Sequence, residues 1–280
     1  MSANPQPQEA VLLREDRDGI CTLTMNRPQQ MNLLTTQMLG ALEDAFASIS
    51  RDETIRVVIL GANGKGFCAG HDLKEIRALR DQPKIEQLFG QCSRMMQAIQ
   101  SLPQPVIARV QGAAAAAGCQ LVAQCDLAVA SEAAKFATPG VSWGFFCSTP
   151  GVAIGRNLPR KRAMEMLLTG DAIDARKALE WGLVNRVVAA DQLEGETQKL
   201  ARQIADKPPA TTAAGKRGFY QQMDLGVERA YALASTVISA SFAHAEGRAP
   251  GAAGVWRVLQ ADKRGEIRAR RQRRDGEHDQ

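Results

Sequence analysis

Two stretches of the chain place glycine and alanine where a strand gives way to a helix. One is Gly64-Lys-Gly-Phe-Cys-Ala-Gly-His-Asp-Leu-Lys-Glu-Ile76; the other is Val110-Gln-Gly-Ala-Ala-Ala-Ala-Ala-Gly-Cys-Gln120. Small side chains let a ligand approach the backbone closely. The first N–H groups of a helix lack intrahelical partners, and the dipole favours negative charge there. Such turns therefore leave backbone N–H groups uncommitted where negative charge is favoured. Taken singly, each is an ordinary Gly/Ala turn. Few side chains nearby have chemistry of their own. His71 titrates near neutrality and is a candidate base. Cys147 would need a base or a positive neighbour to act as a nucleophile, and the sequence offers none. Pocket lining is the better reading for Cys147 and Ser148, and an apolar wall for Trp143. Asp72 and Glu75 fall at a helix start, where acids are favoured as caps anyway.

The elements that must position these residues alternate. Ile20 to Met25 and Arg56 to Leu60 are predicted as short strands. Between them Met38, Leu39, Leu42, Phe46 and Ile49 recur at helical spacing within Asn32 to Ser50. Val106 to Val110 and Asp126 to Ala130 are further strands. The Ala-rich segment Gly112 to Gln124 between them favours helix. Such alternation predicts an α/β fold with crossovers around a largely buried sheet. After Pro150 the chain turns helical: Arg160 to Thr169, Ala175 to Trp181 between an Asp174 N-cap and a Gly182 C-cap, Gln192 to Asp206, and Ala213 to Ala240. Val184 to Val188 is a short extended piece.

A chain of 280 residues with 45% hydrophobic content has ample material for a packed core. No run of about 18 apolar residues exists, so no membrane span is expected. Met1 to Glu9 is Pro/Gln-rich and does not resemble a secretory signal, which points to a cytoplasmic protein. The six cysteines are scattered and the His residues are not clustered, so neither a disulfide framework nor a metal site is expected. The net charge of +5 is concentrated in the tail. Lys263 to Arg274 holds seven Lys/Arg and one Glu, and taking its +6 away leaves about −1 for the rest. The folded body is thus not a nucleic-acid binder by charge.

Together the two Gly/Ala segments resemble the crotonase (enoyl-CoA hydratase/isomerase) superfamily. The resemblance includes Asn26-Arg-Pro28, Gln104 through Ala130, Phe136-Ala-Thr-Pro139, Ala163 to Gly170 and Ala178 to Asn185, and spans roughly residues 10 to 235. Ala69-Gly-His-Asp-Leu-Lys74 with Phe146-Cys-Ser-Thr-Pro150 looks closest to the branch of enoyl-CoA hydratase domain-containing protein 3. The resemblance implies a crotonase (ClpP/crotonase-like) fold, with repeated ββα units in a spiral core and a helical C-terminal trimerisation region. The resemblance suggests a core at 10–199 and helices at 200–262, to which composition adds a flexible stretch at 1–9 and a basic, disordered tail at 263–280 that departs from the family pattern. It also implies a homotrimer or a dimer of trimers.

By the same resemblance, the backbone N–H groups of His71 and Ala117 form an oxyanion hole for a thioester carbonyl. Lys65, Ala69, His71, Asp72, Leu73, Lys74 and Ala117 would contact the coenzyme A thioester, which is ligand or substrate rather than a permanently bound cofactor. Hydratases of the family use two Glu, and here those positions hold Gln120 and Gly140. No Asp or Glu occurs from Ala133 to Met164. Gln cannot accept a proton at neutral pH, so weak or absent hydratase activity is expected. A non-catalytic acyl-CoA binder or scaffold is the alternative, and RNA binding through the Arg-rich tail a second one.

Overall fold

The computed structural model describes residues 9–244. Strands β1 (Leu12–Arg17) and β2 (Ile20–Met25) form an antiparallel hairpin turned by Asp18 and Gly19, both at positive φ. Helix α1 (Thr36–Ile49) then leads to β3 (Val57–Ala62). Helices α2 (Leu73–Leu79) and α3 (Gln82–Ser101) precede β4 (Val106–Val110). Next come β5 (Ala114–Ala115), α4 (Ala117–Gln124), β6 (Leu127–Ser131) and β7 (Lys135–Ala137). A 3-10 turn at Pro139–Trp143 leads to α5 (Ser148–Asn157) and α6 (Arg160–Thr169). The chain continues through β8 (Ile173–Asp174), α7 (Ala175–Trp181), β9 (Arg186–Val188) and α8 (Leu193–Ala205). Helices α9 (Pro209–Met223) and α10 (Val227–His244) follow.

The main sheet has the order β1-β2-β3-β4-β6-β9, parallel from β2 onward. Parallel strands need crossover connections and are buried on both faces. One face packs on α1 through Met38, Leu39, Leu42, Phe46 and Ile49, and on α3 through Cys92, Met95, Met96 and Ile99. The other face carries Ile20, Val57, Ile59, Ile107 and Val129 against Leu193, Ala201 and Ala205 of α8. A small second sheet, β5-β7-β8, lies beside the start of α4.

Several expected elements occur with the same or nearly the same bounds, including β2, β4, α6 and the Asp174 and Gly182 caps of α7. The Ala-rich segment differs. Ala114 and Ala115 are strand, and helix begins only at Ala117. Helix propensity yields here because Ala115 N–H donates to the Cys68 carbonyl and Ala116 N–H to the Ala137 carbonyl, both at 2.9 Å. Sequence patterning also passed over β1, α3 and α5, whereas the helix start expected at Asp72 and Glu75 is that of α2.

Helix α9 is pinned to the core through one buried ion pair. Lys216 Nζ donates to Asp126 at 2.7 Å and to the carbonyls of Ile99 and Gln104 at 2.9 and 3.0 Å. Tyr220 donates to the other Asp126 oxygen at 2.8 Å, and the Val106 N–H caps the set at 2.7 Å. Burial lowers the Lys216 pKa, with Asp126 opposing that shift. The chain separates into a compact unit ending at Leu225 and a second beginning at Gly226. The described part of the second is α10, whose Val227, Tyr231, Ile238 and Phe242 are exposed. The basic stretch from Lys263 lies outside the described residues, as do residues 245–262.

Candidate active site

The two Gly/Ala segments lie side by side. Cys68 forms an isolated parallel bridge with Ala114, and Phe67 N–H donates to the Ala113 carbonyl at 2.9 Å. Gln111 fixes the first segment from the second: its Nε2 donates to the carbonyls of Ala62, Gly64 and Gly66 at 2.9, 3.2 and 2.9 Å. Sequence reasoning did not single out Gln111, because its three partners lie 45 to 49 residues earlier. Where the segments meet, helix α4 must pass the first loop at backbone contact distance. A Cβ on Gly118 would stand 2.1 Å from the Cys68 carbonyl oxygen, so only glycine fits.

This packing brings the Gly70–His71 turn onto the start of α4. A Cβ on Gly70 would lie 3.2 Å from the Ala117 nitrogen. Ala117 is the first residue of α4, and its N–H is one of the donors a helix leaves free. Among the described residues, neither the Ala117 nor the His71 N–H donates to a backbone carbonyl outside the regular elements. Ala116, just before the helix, holds φ 48° and ψ −118°, a conformation that a side chain strains.

The two carboxylates of the first segment have structural partners. Asp72 caps α2, accepting from the N–H groups of Lys74 at 2.8 Å and Glu75 at 3.4 Å. The Glu75 carboxylate accepts from Thr36 N–H, at 3.2 Å to each oxygen, at the start of α1. Ala69 N–H donates to the Met31 carbonyl at 3.0 Å. Leu73 is half-buried, and Lys65 and Lys74 are exposed on this edge. The His71 ring turns aside. Its Nδ1 meets the Leu34 carbonyl at 3.1 Å, and it stands edge-on to Phe89 at 5.2 Å between centroids. Burial lowers its pKa, and the Leu34 carbonyl works against that.

The second wall holds the remaining candidates. Gln120 sits one turn into α4, 4% exposed, and its Oε1 has no hydrogen-bond partner. Gly140 is buried in the turn after β7. A Cβ there would lie 2.7 Å from the Phe145 carbonyl oxygen, 2.8 Å from Cys147 Sγ and 2.9 Å from the Phe145 ring. The space into which a side chain at 140 would project is therefore filled by the chain's own next loop. Phe145 is a second residue that sequence reasoning missed. Cys147 is buried, and desolvation raises its thiol pKa, with the Gly140 N–H opposing. A protonated, buried thiol is a poor nucleophile. Ser148 begins α5 and donates to the Phe146 carbonyl at 3.4 Å; Trp143 is 63% exposed. The site thus presents free N–H donors and a buried amide, with no carboxylate facing them from the 133–164 stretch. No group of three or more His, Cys, Asp or Glu that could hold a metal occurs among the described residues. No described helix is long and apolar enough to cross a membrane.

Similarity to known proteins bears on this geometry. The sequence profile of the family described as enoyl-CoA hydratase/isomerase matches residues 15–256. A relative from Xenopus laevis, described as enoyl-CoA hydratase domain-containing protein 3, mitochondrial, is 43% identical over 247 residues, 88% of this chain and 84% of the relative. The crystal structure of an enoyl-CoA hydratase from Mycobacterium smegmatis matches with TM-score 0.83 and 50% identity, covering 90% of this chain and 97% of that one. The crystal structure of human enoyl coenzyme A hydratase domain-containing protein 3 matches with TM-score 0.81 and 42% identity, covering 83% of this chain and 92% of its own.

Proposed function

This chain belongs to the enoyl-CoA hydratase/isomerase family and has its crotonase fold, and from that premise we propose that it binds an acyl-CoA thioester whose carbonyl oxygen is held by the backbone N–H groups of His71 and Ala117. The supporting observation is the approach of the Gly70–His71 turn to the first N–H of α4, with neither donor committed to a backbone carbonyl outside the regular elements. Donors fixed before the ligand arrives stabilise charge that develops on the oxygen, each worth about 10²–10³ in rate. The coenzyme A portion runs along Lys65, Ala69, His71, Asp72, Leu73 and Lys74, with the lysines meeting phosphates as point charges. Coenzyme A enters as part of the ligand; the proposal includes no permanent cofactor.

Hydration needs a water deprotonated on one side and a proton delivered on the other, and Gln120 and Gly140 supply neither. The expected outcome is that crotonyl-CoA binds in a calorimetric titration but is hydrated at least about 10³-fold more slowly than by an ordinary hydratase. A turnover number in the common enzyme range of about 1–10³ s⁻¹ would refute this. The missing carboxylates also favour a second reading, a non-catalytic acyl-CoA binder. A panel of enoyl, hydroxyacyl, malonyl and aryl thioesters followed by mass spectrometry separates the two: any enzyme-dependent product establishes catalysis in acyl-CoA metabolism.

The exposed apolar residues of α10, with Val227 at 74% and Tyr231 at 73%, support assembly as a homotrimer or a dimer of trimers. Mass photometry at working concentration reads the stoichiometry, and a monomer would contradict it. A cytoplasmic location is proposed for this chain, whereas the Xenopus relative is described as mitochondrial; cell fractionation decides between the compartments.

A further inference from the structure

The direction of a backbone N–H is set by the carbonyl that shares its peptide bond. Every peptide bond among the described residues is trans, so the His71 N–H points opposite to the Gly70 carbonyl. That carbonyl accepts from the Leu34 N–H at 2.8 Å, which turns the His71 N–H away from Leu34. Leu34 holds the same residue a second time. Its own carbonyl accepts from His71 Nδ1 at 3.1 Å, and the two residues form an isolated parallel bridge. Leu34 is fully buried. The donor proposed to hold the thioester is therefore aimed by a residue 37 positions earlier in the chain. Whatever fixes Leu34 also fixes the donor.

Asn32 does so. It has no exposed surface and sits at φ 52°, as Met31 does. These two left-handed residues reverse the chain between the 3-10 turn at Pro28–Gln30 and Leu34, and Asn is among the few non-glycine residues that tolerate that region. The Asn32 side chain ties the reversal to the first Gly/Ala segment. Its Oδ1 accepts from the Arg27 N–H at 2.9 Å, and its Nδ2 donates to the carbonyls of Asn63 and Gly66 at 2.9 and 3.2 Å. The reversal delivers two backbone groups to the turn at Ala69, Gly70 and His71. One is the Met31 carbonyl, which accepts from the Ala69 N–H at 3.0 Å; the other is the Leu34 N–H. Asn32 acts at one remove, since none of its own hydrogen bonds reaches the Gly70–His71 peptide. We infer that Asn32 is a positioning residue, acting through Leu34 and the Gly70 carbonyl to aim the His71 N–H at the thioester oxygen. The inference rests on the acyl-CoA reading above.

The test reads the state of the bound carbonyl rather than the amount bound. Butyryl-CoA cannot be hydrated, and with carbon-13 at its carbonyl it reports by NMR on that atom alone. Its carbonyl resonance should move downfield when the wild-type full chain holds it. Asn32→Gly keeps the left-handed backbone and removes the amide. At full occupancy it should lose about half of that displacement, one of two donors being misaimed, and bind about tenfold more weakly. Gln104→Ala is the control. Gln104 is also a buried amide, and its Nε2 donates to the carbonyls of Ile49, Asp52 and Ile55, none of which belongs to the turn. This variant should lower the Tm and leave the bound resonance at its wild-type position. A lowered Tm with an unchanged bound resonance in Asn32→Gly overturns the inference and leaves the acyl-CoA reading standing. Equal loss of displacement in both variants overturns it as well, because lost stability alone would then suffice. If the wild-type resonance stays where it is in water, the reading falls and the inference with it. Should Asn32→Gly fail to fold, the Leu34 amide proton of the wild-type protein decides. Hydrogen bonds in a chain polarise one another, so this proton should move downfield when butyryl-CoA binds. A Leu34 resonance that does not move means that Leu34 does not aim the donor.

Discussion

The two walls of the site pack by the same device and leave opposite results. On the first wall the Gly70–His71 turn meets the start of α4, and glycine at 118 lets the two backbones touch. What remains there is backbone: N–H groups facing outward from a helix start. On the second wall the turn at Gly140 meets the loop of Phe145 and Cys147, and glycine again permits the contact. Here nothing remains open, because the loop fills the direction a side chain would take. Backbone donors do not depend on the side chains that carry them, so Ala117 can present one from the start of α4. Acid–base chemistry has no such tolerance. It resides in side chains, and it is lost when Gln and Gly occupy the two positions.

Substitutions can break or sharpen this contrast, and the largest effect belongs to the first wall. Gly118→Ala forces a Cβ to 2.1 Å from the Cys68 carbonyl oxygen and should destabilise the fold by about 3 kcal/mol or more. A Cβ at Gly155 in α5 meets nothing within 4 Å, so Gly155→Ala should instead stabilise by about 0.5–1 kcal/mol. Thermal melts of the two variants should move in opposite directions; equal shifts would mean that the walls do not touch as described.

The next effect concerns the second wall. Introducing Gln120→Glu with Gly140→Glu restores two carboxyl groups in name only. The second must displace Phe145 and Cys147, at about 1–3 kcal/mol of stability. Crotonyl-CoA hydration by this double variant should therefore stay well short of the gain of about 10²–10⁴ that placed acid–base groups supply. A full recovery would show that the loop yields readily. Ala116→Gly acts on the first wall in the favourable direction. It relieves a φ of 48° and should raise stability by about 1 kcal/mol, read as a higher Tm.

The smallest effect is a pH dependence. Burial holds the His71 imidazole below its ordinary value of 6.5. Above that value the ring is neutral in both folded and unfolded chains, and nothing is lost. As the pH falls through it, the unfolded chain takes up a proton that the folded chain declines, so stability declines toward acid. In His71→Phe this component should vanish between pH 7 and 5, flattening the loss by up to about 1.4 kcal/mol per pH unit. Identical slopes for the two proteins would place the ring in solvent.

Much of this contrast was legible in the chain's own order of residues. Strand alternation, the caps Asp174 and Gly182, and the substitutions at 120 and 140 are local features that short windows contain. Helix α3 was equally readable from Leu88, Cys92, Met95, Met96 and Ile99, and was passed over because polar residues dilute its stripe. The strand at Ala114–Ala115 was hidden for a physical reason. Alanine has no side chain to signal its partners, and the Cys68 and Ala137 carbonyls that capture its segment come from distant positions. Closure over Gly140 was hidden likewise. It depends on the reversal at Gly144, φ 85°, which carries Phe145 and Cys147 back over the turn they have just left.

Polarisation of the thioester by the first wall is open to direct observation. Infrared difference spectroscopy of crotonyl-CoA labelled with carbon-13 at the carbonyl, bound to the wild-type protein, reports on that bond alone. Two backbone donors should move the carbonyl band to lower wavenumber on binding, while the carbon–carbon double bond persists unhydrated. A bound ligand whose carbonyl band stays where it is in water would contradict the assignment of His71 and Ala117.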